Sequence, residues 1–296
     1  MKIHVVESME MTPEQKARLN KLGEVKWFDG TPDVDELLKR CEGADVVLFD
    51  WAPMDKAIPL LKPGVKMMTI PAMGVGFLPL KEAAAKGIKI ANAPGFAKES
   101  TGELGIGLML AATRRICYYE CEKGKPLNSP CLFGKTIGII GAGRIGSYVG
   151  RVAEALGMKV VDYKRGGDLL AVLTQSDVVF CALPLSDETK GLLGAKEFAA
   201  MKKGAFFVTT SHNKIYDHDA LLAALDSHLG GAAIDLEGTD MGDYGSDAYK
   251  KLDSHPKIVL TPHIGSYTDY ATRVKYDMII DNVEAFTKGK PINIVN

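Results

Sequence analysis

Lys135-Thr-Ile-Gly-Ile-Ile140 runs directly into Gly141-Ala-Gly-Arg-Ile-Gly146, and an amphipathic stretch follows as far as Leu156. The first six residues form a short apolar run bounded by glycine, the pattern of a strand buried on both faces. Placed between that strand and a helix, with another strand over Met158–Tyr163, the G-x-G-x-x-G spacing is the fingerprint of a dinucleotide-binding βαβ unit. Gly141 permits the tight turn, and Gly143 lets a pyrophosphate approach the backbone. Gly146 lets the helix lie against the strand, and the amides at the helix start, around Arg144 and Ile145, hold the phosphates.

Outward from this unit, strand-like and helical runs alternate. Upstream, Lys2–Val6, Glu24–Phe28, Asp45–Phe49, Lys66–Ile70 and Lys89–Ala91 read as strands. Downstream, Lys159–Tyr163, Asp177–Ala182, Ala205–Thr210, Gly231–Asp235 and Ile258–Leu260 do the same. Thr12-Pro13 and Thr31-Pro32 each start a helix with a capping hydroxyl and a proline in the first turn. The alternation predicts mostly parallel sheets covered on both faces. A long helix from about Glu99 carries Gly102, Gly105 and Gly107, which weaken an isolated helix but allow close backbone packing. The polar, glycine-rich stretch Glu237–His255 reads as a surface loop. The last helix, around Thr268–Lys288, stops at Gly289 and Pro291.

With 296 residues the chain has room for two domains. Its 36 basic and 37 acidic side chains nearly cancel, which argues against a nucleic-acid or membrane-surface partner, since both require a positive field. No apolar run approaches the roughly 18 residues of a membrane span. The N-terminus lacks the apolar core and cleavage site of a secretory signal. The five cysteines show no C-x-x-C spacing, and Cys117 and Cys121, one helical turn apart, have no further ligand residues beside them. A cytoplasmic protein without a metal site is expected.

Several stretches carry a family resemblance, and they occur in the family's order: Ala83-Ala-Ala-Lys-Gly-Ile88, the glycine fingerprint, Cys181-Ala-Leu-Pro-Leu-Ser-Asp-Glu-Thr-Lys-Gly-Leu-Leu193, Met201-Lys-Lys-Gly-Ala205, Ala220-Leu-Leu-Ala-Ala-Leu225, Gly231-Ala-Ala-Ile-Asp235 and Thr261-Pro-His-Ile-Gly265. Nearly the whole chain resembles the D-isomer-specific 2-hydroxyacid dehydrogenases. The resemblance implies two Rossmann- or flavodoxin-like α/β lobes with parallel sheets. The cofactor lobe, 96–267, is inserted in a substrate lobe made of 1–95 and 268–296. It also implies a homodimer and hydride transfer between a nicotinamide and C2 of a small 2-keto or 2-hydroxy acid, or a related carbonyl compound. His263 matches the family's proton-transferring histidine, and Leu183, Pro184 and Asp235 match positions that touch the cofactor.

Other positions depart from the family. The family's substrate-binding arginine falls on His212, and the carboxylate that orients the catalytic histidine falls on Asp240. A guanidinium offers two parallel charged donors, whereas imidazole offers one and is largely neutral near pH 7. Three readings are open for His212: a substrate that does not need the arginine, a charge supplied by Lys214, or a site that has lost its chemistry. The last would make the chain a dinucleotide-binding sensor or interaction protein. In Pro71-Ala-Met-Gly-Val-Gly76, whose amides cradle the substrate carboxylate in the family, Gly74 is retained, Gly76 replaces a usual aspartate and Ile70 a frequent arginine. Met73, Gly74, Val75 and Trp51 are the expected substrate contacts, with an apolar character that favours some hydrophobic bulk. The family's ribose-reading acid falls on Lys164, 18 residues after Gly146, with Arg165 next. Asp162 lies inside the strand. The basic pair makes NADP the expected cofactor and leaves NAD possible.

Overall fold

The computed structural model describes residues 1–122, 128–236 and 246–296. The chain divides into two compact units, Met1–Ala97 with Thr268–Asn296, and Lys98–Tyr267. In sequence, the second is an insertion between the two segments of the first.

The first unit holds strands β1 (Lys2–Val5), β2 (Glu24–Trp27), β3 (Val46–Leu48), β4 (Met67–Thr69) and β5 (Lys89–Ala91). All pair in parallel, in the order β2-β1-β3-β4-β5. Successive side chains point to opposite faces of a strand, and two cores form accordingly. Val47, Met68 and Ile90 join Leu37 and Cys41 of the helix Val34–Cys41 on one face. Val46, Leu48, Met67 and Ala91 join Ile279, Ile280 and Val283 of the final helix Asp269–Thr287 on the other. Thr12 and Gln15 form the capping box of the helix Pro13–Asn20, with proline in its first turn. The Gln15 amide also donates to the Arg273 carbonyl and to Asp277, which holds this helix on the final one.

The second unit holds β6 (Thr136–Ile140), β7 (Lys159–Tyr163), β8 (Val178–Cys181), β9 (Phe206–Thr209), β10 (Gly231–Asp235) and β11 (Ile258–Thr261). These are again all parallel, in the order β7-β6-β8-β9-β10-β11. In each sheet the first strand lies between the second and the third. The side on which successive strands are added therefore reverses between β1 and β3 and between β6 and β8. Crevices outside the carboxyl ends of strands at such points are where doubly wound folds bind ligands.

The expected strands are present to within a residue or so at their ends. The stretch Glu237–His255 differs from expectation in the part described. Asp247–Asp253 is a helix whose first turn is capped by Ser246, and Leu252 is seated in the core. A serine cap and a single buried leucine are too little pattern to show above seven mostly polar residues.

The glycine-bearing helix spans Lys98–Thr113. A Cβ at Gly105 would lie 2.7 Å from the ring of Phe180, and one at Gly102 would collide with the ring of Tyr148. Around Gly107 there is nothing within 4 Å. Two of the three glycines thus admit neighbours of their own unit, and the third is open. Gly107→Ala should stabilise the protein by about 0.5–1 kcal/mol through helix propensity alone. Gly105→Ala gains the same propensity but must displace the fully buried Phe180, and overpacking of that kind costs about 1–3 kcal/mol. Thermal unfolding of the two variants should therefore shift in opposite directions, and a raised Tm for Gly105→Ala would contradict this packing account.

Candidate active site

The residues singled out in the second unit gather at the carboxyl ends of its strands. After β6, Gly141 has a φ of +97°, and a Cβ there would lie 2.7 Å from the Ala182 carbonyl oxygen that follows β8. Gly146 is closed in from below, because a Cβ would run into the Gly141 carbonyl oxygen. Gly143 faces open space and caps the helix Arg144–Ala155. The first amides of a helix have no partner within it, so those of Arg144, Ile145 and Gly146 present a cluster of donors. The Ser147 hydroxyl donates to the Ala142 carbonyl at 2.9 Å and fixes the loop. A loop sterically closed at its first and last glycines and open at the middle one fits a pyrophosphate.

Lys164 and Arg165 follow β7 directly, and both are exposed. They sit on a turn closed by the Gly167 amide on the Lys164 carbonyl, with Gly166 at φ +79°. The Arg165 guanidinium lies 3.3 Å from the Glu188 carboxylate. Asp162 is inside β7, paired in register with Ile139.

After β11, His263 is exposed and takes a φ of +49°, a conformation that non-glycine residues rarely adopt. Asp235, at the end of β10 and only 2% exposed, explains it. One of its carboxylate oxygens accepts from the Thr261 hydroxyl at 2.7 Å and the Ile264 amide at 2.9 Å. The other accepts from the Gly265 amide at 3.0 Å. A left-handed residue costs about 1–2 kcal/mol, and buried hydrogen bonds to a carboxylate contribute about that much each. The clamp therefore wins and turns His263 outward. Gly265 completes it, since a Cβ there would press on Asp235 at 3.1 Å and on Thr101 at 3.2 Å. Asp240 lies outside the described residues.

His212 follows β9 and caps the turn Asn213–Ile215, its Nδ1 accepting from the Lys214 amide at 3.1 Å. This contact fixes the orientation of the imidazole ring. Leu183 is half-buried and Pro184 exposed beyond the end of β8.

In the first unit, Trp51 follows β3 and is 75% exposed. The loop bearing it is held from inside. Glu7, 2% exposed, accepts from the amides of Asp50, Trp51 and Ala52 at 2.7–3.0 Å through one oxygen. Asp50 also pairs with Lys275 at 3.0 Å, and burial pushes its carboxyl pKa up despite that cation. After β4, the Pro71–Gly76 backbone is tied to β5. The Ala93 amide donates to the Ala72 carbonyl, and the Asn92 side chain donates to the Met73 carbonyl at 2.7 Å. Met73 and Gly74 are exposed, whereas Val75 packs into the core and offers only its backbone.

Residues 106–265 match the NAD-binding domain of D-isomer-specific 2-hydroxyacid dehydrogenases. The chain belongs to this family. It is 33% identical to a glycerate dehydrogenase of Methylorubrum extorquens, with 92% of each chain aligned, and 30% identical to a hydroxypyruvate reductase of Blautia hydrogenotrophica, with 94% of each. A solved structure from Thermus thermophilus covers 100% of both chains, with a TM-score of 0.81 and 31% identity. As a member of the D-isomer-specific 2-hydroxyacid dehydrogenases the chain is an NAD(P)-dependent oxidoreductase acting on CH–OH groups, and the glycine cradle accommodates the nicotinamide dinucleotide this requires.

Two features of this dehydrogenase lay outside the sequence reading. Glu7 had no visible role, because its three amide partners are more than 40 residues away. Tyr267, whose amide donates to the Ile264 carbonyl, is 69% exposed on the same turn as His263. Its position four residues after His263 was the available signal.

Asp235→Asn replaces one of the two accepting oxygens by a donor facing a backbone amide. Turnover should fall by about 10–100-fold as the His263 loop loosens, while cofactor affinity, measured by fluorescence titration, changes by less than about threefold. A loss of affinity equal to the loss of turnover would show that Asp235 acts chiefly by direct contact with the cofactor and not by holding the loop.

Proposed function

We propose that the protein reduces 2-keto acids with some apolar bulk, or related carbonyl compounds, to D-2-hydroxy acids, preferring NADPH to NADH. The observation that carries this reading is the Asp235 clamp, which presents His263 outward at the carboxyl edge of the same sheet as the glycine cradle. A bound nicotinamide supplies the hydride, and the remaining chemistry belongs to the chain. His263 donates the proton to the substrate oxygen as charge develops there, the task for which imidazole is suited near neutral pH. Asp240 orients it, as the family resemblance implies. His212 faces the substrate where relatives in the family use a guanidinium. Arg144, Ile145 and Gly146 hold the pyrophosphate with Gly141 and Gly143, Leu183 and Pro184 line the cofactor, and Asp235 stands at the nicotinamide end.

Trp51, Met73, Gly74 and Val75 are proposed as substrate contacts, Val75 through its backbone alone. The exposed Trp51 and Met73 side chains, together with Phe77, support a substrate with an apolar side chain. Lys164 and Arg165 support the preference for a 2′-phosphate, with Glu188 as a competing anion for Arg165. Free thiols at Cys41, Cys117, Cys131 and Cys181 support a reducing compartment, the cytoplasm. The family resemblance supports a homodimer.

The test is turnover of the purified protein with NADPH and NADH against glyoxylate, pyruvate, hydroxypyruvate, 4-methyl-2-oxopentanoate and phenylpyruvate. The two bulky acids should be preferred, and His263→Ala should lose about 10²–10⁴-fold in kcat. Tight cofactor binding with no turnover on any of these would favour the sensor reading. Replacing both Lys164 and Arg165 by alanine should weaken NADPH by about tenfold or more and NADH by less than about twofold. Equal losses would leave the pair as solvated surface charge.

A further inference from the structure

Beyond the last paired residues of β8 and β9, Cys181 and Thr209, the two chains stay joined through side chains. The Ser211 hydroxyl, on a residue 5% exposed, accepts from the Leu183 amide at 2.8 Å. It also lies 3.6 Å from the Cys181 sulfur. The Ser211 amide donates to the Thr209 hydroxyl at 3.0 Å, and that hydroxyl donates to the Cys181 carbonyl at 3.3 Å. These contacts close a ring around the point where the strands part. One strand leads to Leu183 and Pro184, the other to His212.

We propose that Ser211 is a positioning residue that fixes the substrate-facing His212 relative to the Leu183–Pro184 wall of the cofactor site. The inference rests on the reading of His212 given above. A backbone amide that has left the sheet ladder needs another acceptor if it is shielded from water, and here the acceptor is the side chain adjoining His212. A shift of the Leu183 backbone is thereby transmitted to the start of the His212 turn through one hydrogen bond and one peptide unit. Cys181 packs the ring from behind, and burial raises its thiol pKa, so it stays protonated and able to donate to the Ser211 oxygen. The Asn213–Ile215 turn is locked on its far side by the Lys214 amide on His212. Ser211 therefore controls the side on which that turn joins β9. Since hydride transfer depends on near-contact geometry, a small misplacement at this junction reduces turnover more than binding.

The experiment is a double-mutant cycle on the full-length protein, using the best substrate of the panel above. Ser211→Ala should lower kcat/KM by about tenfold in the otherwise native protein and weaken NADPH binding by about threefold. In the His212→Ala background the same substitution should lower kcat/KM by less than twofold, because the group it positions is gone. Ser211→Thr, which retains the hydroxyl, should recover most of the loss, whereas a purely volumetric effect would not be rescued. Equal losses in both backgrounds, or no loss from Ser211→Ala, would overturn the proposal while leaving His212 as the substrate-facing group. If His212→Ala itself left kcat/KM unchanged, the reading of His212 would fail, and the coupling with it. In that event a weakened NADPH affinity for Ser211→Ala would show the hydroxyl serving the cofactor wall alone. Tm measured for each variant separates unfolding from these effects.

Discussion

A single buried carboxylate organises the carboxyl edge of the second sheet. Asp235 ends β10, and its two oxygens take the Thr261 hydroxyl and the amides of Ile264 and Gly265 from the adjoining loop. Three donors converging from one side leave that loop a single path, and the path turns His263 outward with a positive φ. Without the clamp, the backbone would relax toward the common conformations and the imidazole would swing with it. Thr101, on the glycine-bearing helix, donates to the Gly265 carbonyl and completes the support. The position of His263 is thus a consequence of sheet, loop and helix together.

The first unit uses the same device at a different point of the same topology. Glu7 follows β1 and gathers the amides of Asp50, Trp51 and Ala52 after β3, where the strand order reverses. Backbone amides beyond the end of a parallel sheet form ready anion sites. In this unit one such site is filled by the protein's own carboxylate, which spends the donors on structure and leaves Trp51 as the exposed element. In the second unit the corresponding reversal, between β6 and β8, carries a glycine loop without a side chain to fill it. Two sheets of like order therefore differ in which one leaves its amides available to a ligand, and this supports placing the dinucleotide in the second unit.

The strands were legible because parallel sheets covered on both faces demand short apolar runs, and glycine and proline bound those runs here. The fingerprint was legible for a local reason: Gly141 and Gly146 are needed by atoms of the same loop or the next strand end. The glycines of the long helix were legible as close-packing residues at Gly102 and Gly105 only, because nothing local distinguishes Gly107. What could not be read was long-range. The partners of Asp235 lie 26–30 residues downstream, those of Glu7 more than 40, and Val75 points inward although its neighbours Met73 and Gly74 do not. Sequence position assigned Asp235 and Val75 to a site and passed over Glu7, and only the fold shows that Asp235 and Glu7 act by holding others.

His212, which the family resemblance sets at an arginine position, is likewise held by its surroundings. A guanidinium binds a carboxylate through charge and two parallel donors, whatever its neighbours do. His212 accepts the Lys214 amide at Nδ1, which fixes the orientation of its ring. With its ring held at one nitrogen, His212 would contribute direction in the proposed role, where a guanidinium contributes two parallel charged donors.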